Sequence, residues 1–573
     1  MSKNKQILYE SERLYNFKEL INYSAKLYSN KTAFKYKDAN KENIIEKSYS
    51  QFKNDIDCLG TSLINLGLQN KKIILISPNR YEWCVSYLAI TTGNMVVIPL
   101  DRSLPPKELI DSVIRSEAEV VIFDSKYLET FLNIKNNNVS SLKTYICMDE
   151  INVNDFYTIP ELLETGKKLL SDGNTNFTEI LVDGYKTSVL LFTSGTTSLS
   201  KIVMLSQFNI CSNIYALSCM AKVTSDDTFL SFLPLHHTYE STTTFLYGIY
   251  CGITIAFCDG LRHISKNLKE YKITGFVCVP AVLEAIYKKI IKQAEKQGKL
   301  GILKALMAFS NFLYSIGIDV RRKLFKSVLA QIDEHLRVVV YGAASMDKNA
   351  IKFLSSLGIN MLNGYGLTET SPVLSAENDK YKKPGSVAFP MANMQIKIDN
   401  PDENGIGEIC AKGPCLMLGY YNDIEATKEV IKDGWFHTGD LGYYDKQGYL
   451  FITGRKKNVI VLKNGKNVFP EELELLISKL PFVLENMVYA RPSNDNDILL
   501  AVKIVYNEEI LKSMFPNAQK EDYHDIIWKE IKEINKQLPK YKYIKHLIVT
   551  DEPMIKTTTQ KIKRFEEIKR ILN

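Results

Sequence analysis

Residues 190–206 read LLFTSGTTSLSKIVMLS, and the rest of the chain is organised around them. An apolar run that ends at Phe192 passes into the small and hydroxylated residues 193–198, and Lys201 precedes a second apolar run. This order predicts a strand, a hydroxyl-rich turn with a lysine, and a second strand. Such a turn suits an anion, because small side chains let backbone N–H groups face a phosphate, hydroxyls add donors, and the lysine adds a positive charge.

Two other interpretations of this stretch can be compared with the phosphate site. A Walker A loop needs glycine directly before the lysine and Ser or Thr directly after it, but Ser200 and Ile202 occupy these places. That interpretation fails. A Ser/Thr-rich surface loop fits the residues as well as a phosphate site does, so this stretch alone leaves both open.

The composition predicts a protein of two or more domains that is soluble and cytoplasmic. The chain has 573 residues, 45% of them hydrophobic and 24% charged, and one core rarely serves such a length. Its lysines are scattered and its net charge is only +7, so no nucleic-acid partner is expected. Residues 1–17 lack the apolar core of a signal peptide. Residues 245–258 are too few and too interrupted by glycine for a membrane span.

Cysteine and histidine patterns indicate neither disulfides nor a catalytic metal. The ten cysteines are dispersed without a CxxC pair, which predicts buried, reduced thiols. The seven histidines include no helical HExxH arrangement, so a catalytic zinc site is not expected.

Alternating apolar strands and helices between residues 73 and 124 predict an α/β domain with a largely parallel sheet. Residues 132–185 are polar and poorly patterned, and we expect a peripheral excursion there. Residues 281–336 predict helices rich in lysine and aromatic residues. Residues 302–325 among them fit either a solvated surface helix, the commoner case, or a helix that touches a membrane surface.

The predicted pattern of secondary structure changes twice in the second half of the chain. Short strands and turns beyond residue 384 predict a β-rich subdomain. A smaller α+β unit follows the basic passage 454–458. The predicted fold class is therefore α/β, with a large N-terminal domain of α/β sheets, a β-rich subdomain and a small α+β C-terminal domain.

Six short segments occur in register along the chain: FTSGTTSLSK (192–201), PLHH (234–237), YGLTE (365–369), GWFHTGD (434–440), GRKKNVI (454–460) and TTTQKIKR (557–564). Together they resemble the superfamily of AMP-forming acyl- and aryl-CoA synthetases, adenylation domains and luciferases, over nearly the whole chain. Within this superfamily, the sequence as a whole most resembles the bacterial long-chain fatty-acyl-CoA synthetases. The resemblance implies an AMP-binding (adenylation) domain at 1–455 and a mobile C-terminal domain at 456–573, joined by a hinge at Lys457.

The resemblance also implies a reaction in two steps. A carboxylate attacks the α-phosphorus of ATP and expels pyrophosphate, and a thiol then attacks the acyl carbon and releases AMP. Both steps place negative charge on oxygen, so positioned cations and N–H donors should carry most of the catalysis. The implied small molecules are ATP, Mg²⁺, CoA and a carboxylic acid, expected to be a medium- or long-chain fatty acid.

Several residues match nucleotide-binding positions of the superfamily. The matches are Thr193, Ser194, Gly195, Thr196, Thr197 and Lys201 for the β- and γ-phosphates, Gly342, Ala343 and Ala344 beside the adenine and acyl sites, Tyr365 near adenine, and Asp440 with Arg455 for the ribose. Ser198, Ser200 and Ile202 depart from the usual glycines and proline of the phosphate loop.

The resemblance assigns catalytic roles to four residues. These are Thr368 at the α-phosphate, Glu369 as the Mg²⁺ ligand, His237 beside the acyl carboxylate, and Lys561, which reaches the carboxylate and the α-phosphate. Many relatives have glycine where Gln560 stands. His236 and His237 should point opposite ways if their segment is extended, so we do not expect them to act as a pair.

Two other functions remain open at this stage. The first keeps the adenylation chemistry but uses an acyl carrier protein as acceptor; no carrier domain follows the lysine motif, which favours CoA. The second is a non-catalytic relative that binds a nucleotide or an acyl group. The sequence predicts no membrane span and leaves peripheral membrane contact open.

Overall fold

The structure is a computed structural model that describes residues 6–38, 40–137, 141–193, 200–344, 346–462, 466–492, 498–556 and 562–572. Helices and strands alternate through its first part, as the apolar runs between turn residues predict. In chain order the elements are α1 (Phe17–Tyr28), β1 (Thr32–Lys37), β2 (Ile44–Ser48), α2 (Tyr49–Asn65), β3 (Lys72–Ile76), α3 (Tyr81–Thr92), β4 (Val96–Pro99), α4 (Pro106–Ser116), β5 (Val120–Phe123), α5 (Leu128–Asn136), β6 (Thr144–Cys147), β7 (Tyr157–Thr158), α6 (Ile159–Ser171), β8 (Thr187–Phe192) and β9 (Ile202–Ser206).

The middle part contains the strands that end at the candidate site and the lysine-rich helices. It begins with a helix capped by Ser206, whose side chain accepts a hydrogen bond from the N–H of Asn209. The elements are α7 (Gln207–Ser218), β10 (Thr228–Ser231), α8 (Thr238–Glu240), α9 (Tyr247–Cys251), β11 (Thr254–Phe257), α10 (Ile264–Glu270), β12 (Gly275–Cys278), α11 (Pro280–Lys296), α12 (Leu300–Ser315), α13 (Arg321–Leu324), α14 (Lys326–Leu329), β13 (Val338–Gly342), α15 (Lys348–Ser356), β14 (Asn360–Gly366), β15 (Val373–Ala376) and β16 (Phe389–Pro390).

The last part is richer in short strands, followed by a mixed unit. Its elements are β17 (Gln395–Asp399), β18 (Gly407–Lys412), β19 (Gly419–Tyr420), α16 (Ile424–Val430), β20 (Ile431–Lys432), β21 (Trp435–Tyr444), β22 (Leu450–Arg455), β23 (Ile460–Val461), β24 (Asn467–Val468), α17 (Pro470–Ile477), β25 (Val483–Pro492), β26 (Ile498–Tyr506), α18 (Glu508–Met514), α19 (Tyr523–Lys536), β27 (Ile544–Thr550) and α20 (Arg564–Leu572).

Two large sheets organise the N-terminal part. One has the strand order β19-β9-β8-β4-β3-β5-β6-β7 and the other β16-β15-β14-β13-β12-β10-β11-β1-β2. Both are parallel in their centres and antiparallel toward one or both edges. The central strands are buried Val- and Ile-rich runs, as expected where a parallel sheet is covered on both faces. The predicted α/β class is confirmed.

The prediction for residues 132–185 was wrong. Instead of a peripheral excursion, this segment supplies β6 and β7 to the eight-stranded sheet and α6 to the core. α6 packs closely on α2, since the hydroxyl of Ser62 donates to the carbonyl oxygen of Leu162 over 2.5 Å. A Cβ at Gly166 would lie 1.8 Å from the carbonyl oxygen of Cys58. The many polar residues concealed short buried strands.

The remaining sheets form the predicted β-rich subdomain and the predicted α+β unit. An antiparallel sheet of β17-β18-β21-β20, with β22 paired to β21, forms the β-rich region. The three-stranded sheet β25-β26-β27 packs with α17 and α19 around Leu473, Val502 and Ile527. This mixed unit is the α+β part of the predicted fold class.

The topology gathers the functional segments at one place. β10, β13 and β14 are parallel members of one sheet, and the PLHH, GAA and GLTE segments follow their carboxyl ends. Ligands of open α/β sheets bind outside such strand ends. In the described parts of the chain, no helix is long and apolar enough to cross a membrane.

Candidate active site

The loop between β8 and β9 is closed by bonds between its two ends. The backbone N–H of Thr193 donates to the carbonyl oxygen of Lys201 over 2.9 Å, and the Thr193 hydroxyl donates to the same oxygen over 3.2 Å. Arg115 donates to the hydroxyl and the carbonyl oxygen of Ser200. The two strands predicted here are present as β8 and β9, and they pair antiparallel. Ser194, Gly195, Thr196, Thr197 and Ser198 of the predicted phosphate loop lie outside the described residues.

Lys201 and Glu369 approach the same tyrosine. Lys201 Nζ lies 4.5 Å from the centroid of the Tyr420 ring, a cation–π distance. The Tyr420 hydroxyl donates to Oε1 of Glu369 over 3.0 Å. Burial and the charge of Glu369 raise the pKa of Tyr420, so the phenol keeps its proton. The sequence motifs identified the two charged residues and missed the tyrosine between them.

Tyr365 and Arg455 both contact the carboxylate of Asp440. The hydroxyl of Tyr365 donates to Oδ2 over 2.6 Å, and Arg455 Nε lies 2.8 Å from Oδ1. Asp440 and Arg455 face each other in the β21–β22 pair. A carboxylate offers about four lone-pair sites, and these contacts fix the orientation of the Asp440 carboxylate. Burial and the neighbouring Asp440 carboxylate raise the pKa of Tyr365.

Small residues at the end of β13 allow a close backbone approach. A Cβ at Gly342 would lie 2.6 Å from the carbonyl oxygen of Gly364 and 3.3 Å from the Tyr239 hydroxyl. Ala343 follows with a φ of 69°. For an L-residue this left-handed conformation costs about 1–2 kcal/mol, and such strain concentrates at functional sites.

The two histidines of PLHH do not point apart, contrary to the prediction. Their segment is a turn rather than an extended strand, and the ring centroids of His236 and His237 lie 4.5 Å apart. Burial, with the positive field of His237 and Arg102, lowers the pKa of His236 far below its usual value. His236 Nε2 lies 3.6 Å from Asp101 Oδ2. We therefore assign His236 a packing role beside His237, which faces the cavity.

One continuous cavity of about 2490 Å³ joins these groups. Its polar end is lined by Thr193, Lys201, Thr368, Glu369, Asp440 and Arg455. Another part of its wall is apolar and comes from α10 and α11, with Leu268, Val282, Ile286 and Ile290. His237, Ala343 and Ala344 also line the cavity. We call these two parts the nucleotide end and the acyl end, after the ligands that the sequence resemblance implies.

A buried carboxyl group, which the sequence analysis missed, lies in the cavity wall. Glu240 accepts from the Ser231 hydroxyl over 2.6 Å and from the Thr244 hydroxyl over 3.0 Å. Burial raises its pKa to about 8, so this carboxyl group is protonated at neutral pH. The π-helical segment Ser241–Leu246 follows it directly, and such segments are frequent at functional sites.

Comparison with known proteins shows which family the chain belongs to. The sequence profile described as AMP-binding enzyme matches residues 21–421, and the profile described as AMP-binding enzyme C-terminal domain matches residues 457–570. This chain belongs to the AMP-binding enzyme family. The predicted superfamily is thereby confirmed.

Relatives of this AMP-binding enzyme span most of its length. It is 30% identical to long-chain-fatty-acid–CoA ligase 5 of Mus musculus, over 91% of this chain and 82% of that protein. It is 27% identical to the chloroplastic long-chain-fatty-acid–[acyl-carrier-protein] ligase AEE15 of Arabidopsis thaliana, over 91% and 81%. The anthranilate CoA ligase AuaEII, solved with anthranoyl-AMP, superposes with a TM-score of 0.76 at 18% identity, over 100% of this chain and 99% of that one. That likeness concerns the fold.

Glu369 lies next to Thr368 in the wall of the cavity. It belongs to the single turn Thr368–Thr370 after β14, and Oε1 carries the bond from Tyr420. A carboxylate beside a threonine hydroxyl is an oxygen donor set of the kind that Mg²⁺ prefers. The residues present therefore fit the ion.

A second group with metal-binding side chains lies on the β-rich sheet. Its donor atoms, which all lie within 4.8 Å of one another, belong to Asp399, Cys410 and His437. Lys397 Nζ lies 3.3 Å from Asp399 Oδ1. Glu408 Oε2 lies 3.3 Å from His437 Nδ1 and 2.9 Å from Lys456 Nζ. Because lysines already balance these carboxylates, we assign no metal to the group.

Two residues that the resemblance assigned lie toward the C-terminal unit. Lys457 is exposed in the single turn Lys456–Asn458 that follows β22. Asn458 donates to Oε1 of Glu471 in α17 over 2.6 Å. Lys561 lies outside the described residues. Beside it, Lys556 and Ile562 form an antiparallel bridge, and Ile562 lines the cavity.

Proposed function

We propose that this AMP-binding enzyme activates a medium- or long-chain fatty acid with ATP and transfers the acyl group to CoA. The observation that carries the proposal is the continuous cavity, with a charged nucleotide end and an apolar wall on α10 and α11. An alkyl chain gains free energy roughly in proportion to the apolar area it buries. The mouse relative is named as a long-chain-fatty-acid–CoA ligase, which supports the same substrate class.

In the first step, a carboxylate oxygen of the acid forms a bond to the α-phosphorus of ATP, and the bond to pyrophosphate breaks. We assign Lys201 to the charge of the leaving phosphates and Thr368 to an α-phosphate oxygen. Bound at Glu369, Mg²⁺ would neutralise phosphate charge. Asp440, oriented by Tyr365 and Arg455, would hold both ribose hydroxyls. Preorganised groups of this kind supply most of the stabilisation in phosphoryl-transfer chemistry.

In the second step, the CoA thiolate attacks the acyl carbon and AMP leaves with the electron pair of the broken C–O bond. We propose that the units 1–455 and 456–573 change their relative orientation between the steps, with Lys457 as hinge. The exposed turn Lys456–Asn458 between β22 and β23 supports this assignment, because hinge motion concentrates on a few terminal residues of elements. Lys561 would serve the first step only.

The acceptor of the acyl group has one specific alternative. The Arabidopsis relative, which is named as an acyl-carrier-protein ligase, is nearly as similar as the mouse CoA ligase. Both acceptors present the same thiol chemistry to the acyl-adenylate. The two differ in what surrounds the thiol, so only a direct comparison of acceptors separates them.

A pyrophosphate-release assay over a panel of saturated carboxylic acids tests the proposal. We expect release that depends on an acid of medium or long chain, with one AMP and one acyl-CoA formed per pyrophosphate when CoA is present. Transfer to a phosphopantetheinylated carrier protein but not to CoA would establish the alternative acceptor. Pyrophosphate release that is independent of any added acid would leave a nucleotide-binding relative and contradict the proposal.

A further inference from the structure

The outer side of α12 is apolar where a solvated helix would be polar. The exposed fractions are 62% for Ile302, 36% for Leu306, 56% for Phe309 and 61% for Phe312. These residues are spaced four, three and three apart, which puts them on one stripe of the helix. The inner side of α12 packs on the core through other residues, such as the buried Leu303. The stripe is therefore not a continuation of the core.

The apolar surface continues beyond the end of α12. Tyr314, Ile316 and Ile318 are about half exposed and follow the stripe directly. We define the apolar face as Ile302, Leu306, Phe309, Phe312, Tyr314, Ile316 and Ile318. Single exposed apolar residues are ordinary, but a contiguous group of large ones marks a site of interaction.

The excess positive charge of the protein lies in the segment of the chain that carries this face. Residues 280–331 hold ten basic and three acidic side chains, whereas the other 521 residues hold 62 of each sign. The lysines are scattered, as the sequence analysis found, but their excess over acidic residues is not. Lys326 of this segment forms an ion pair with Glu334. Within the described part of the chain, the other exposed lysines of the segment form no ion pair; they are Lys288, Lys289, Lys292, Lys296, Lys299, Lys304 and Lys323.

We propose that the apolar face of α12 docks on the surface of an anionic phospholipid bilayer. An apolar stripe flanked by lysines is the pattern of interfacial helices, whose apolar side chains enter the boundary between headgroups and acyl chains. The lysines face the negative surface potential of such a bilayer. A protein partner would account for the apolar residues, but the unpaired lysines around them favour a surface of distributed negative charge.

The position of the face connects docking with the cavity. α12 packs against α11, and α11 contributes Val282, Ile286 and Ile290 to the acyl end. A docked enzyme would hold its acyl end near the bilayer, where long-chain fatty acids partition. This consequence rests on the proposed function; docking itself does not.

Sedimentation with vesicles tests docking without using activity. We expect wild-type protein to bind vesicles of phosphatidylglycerol and phosphatidylcholine about tenfold more tightly than phosphatidylcholine alone, and salt to weaken this binding. The double variant Phe309→Ser and Phe312→Ser should lose at least about tenfold in binding. Its matched control, Leu181→Ser and Ile424→Ser, changes two exposed apolar residues elsewhere and should bind like wild type.

Charge and fold are checked by further variants. Lys296→Gln, Lys299→Gln and Lys304→Gln together should weaken binding to anionic vesicles, whereas Lys107→Gln, Lys167→Gln and Lys446→Gln together, at exposed lysines elsewhere, should not. Turnover of the soluble acid octanoate should be unchanged in the phenylalanine variant, which shows that the variant is folded. Inactivity of wild type on every acid would contradict the proposed function and leave the vesicle result standing.

Two outcomes would overturn docking. In the first, wild type and the phenylalanine variant sediment equally with anionic vesicles. In the second, wild type does not bind vesicles but forms a dimer in light scattering that the phenylalanine substitutions abolish, so that the face covers a second copy of the chain.

Discussion

The nucleotide end and the acyl end of the cavity are stabilised in different ways. At the nucleotide end, charged groups are oriented by hydrogen bonds from residues far away in sequence, as Tyr365 orients Asp440 and Tyr420 contacts Glu369. At the acyl end, the wall is apolar and its buried carboxyl group, Glu240, is kept neutral. The nucleotide end therefore presents charged side chains to the cavity, and the acyl end presents apolar and neutral ones. Substitutions should therefore affect catalysis at the first end and stability at the second.

The largest expected effect separates the two half-reactions at the nucleotide end. Lys561→Ala should lower acid-dependent pyrophosphate release by about 10²-fold or more, since the proposal assigns this cation to the charge that develops in the first step. Acyl-CoA formation from supplied acyl-adenylate should change less than about threefold, because the second step uses another orientation of the C-terminal unit. Rapid-quench assays of each half-reaction measure this. Lys563→Ala is the control, and equal losses in both half-reactions would refute the proposed hinge motion.

Glu369→Gln should have the next largest effect. The amide keeps the shape of the side chain but not the charge that holds a divalent cation, so pyrophosphate release should fall by about 10²-fold. The Mg²⁺ concentration for half-maximal rate should rise as well. Glu425→Gln, at an exposed helix position, should leave both quantities unchanged. Wild-type Mg²⁺ dependence in Glu369→Gln would remove this residue from the site.

Short motifs gave the charged residues of the nucleotide end because each motif is local. FTSGTTSLSK and YGLTE place Lys201 and Glu369 next to a strand end, and HTGD places Asp440 within β21, so a few neighbours determine the form of each segment. Their partners are distant in sequence, as Tyr420 is from Glu369, and no local pattern indicates them. The rotation of His236 toward His237 was missed for the same reason, since a turn replaced the extended segment on which the prediction depended.

The fold was predictable wherever apolar periodicity was strong. The alternation of strands and helices predicted between residues 73 and 124 is present as β3, α3, β4, α4 and β5. Residues 132–185 were not predicted well, because two- and four-residue strands are too short to show a period. The acyl end could not be predicted from the sequence for a different reason. Its wall combines side chains from β10, α8, α10 and α11, which are separate segments of the chain.

A smaller effect is expected from a single methyl group at the junction of the two ends. Gly342→Ala would place a Cβ 2.6 Å from the carbonyl oxygen of Gly364, so the strand must shift. We expect an increase in the KM for ATP of about tenfold, as misplacement of a binding group costs about 1–2 kcal/mol. Gly364→Ala is the matched control, because its nearest contact is 4.0 Å away, at Val373 Cγ1. An equal change in both variants would mean that close approach at Gly342 is unimportant.

The smallest catalytic effect, and the clearest effect on stability, is expected at the acyl end from Glu240→Gln. Burial raises the pKa of Glu240 to about 8, so the folded state keeps a proton that the unfolded state loses near its usual pKa. The unfolded state therefore binds fewer protons between about pH 4.5 and 8, and the Glu240 contribution to stability falls as pH rises through this range. The neutral amide has no such dependence.

The test is the difference in Tm between Glu240→Gln and wild type, measured by thermal unfolding at several pH values. We expect the variant to gain on wild type by at least about 2 °C between pH 5 and pH 8, with kcat at pH 7 within about threefold of wild type. Glu377, whose pKa burial raises to about 7, titrates in both proteins and so cancels in the difference. Glu521→Gln, at an exposed position, should show no pH-dependent difference. A constant difference for Glu240→Gln would show that this carboxyl group is ionised in the folded protein, and the contrast between the charged and the neutral end of the cavity would then fail at its acyl side.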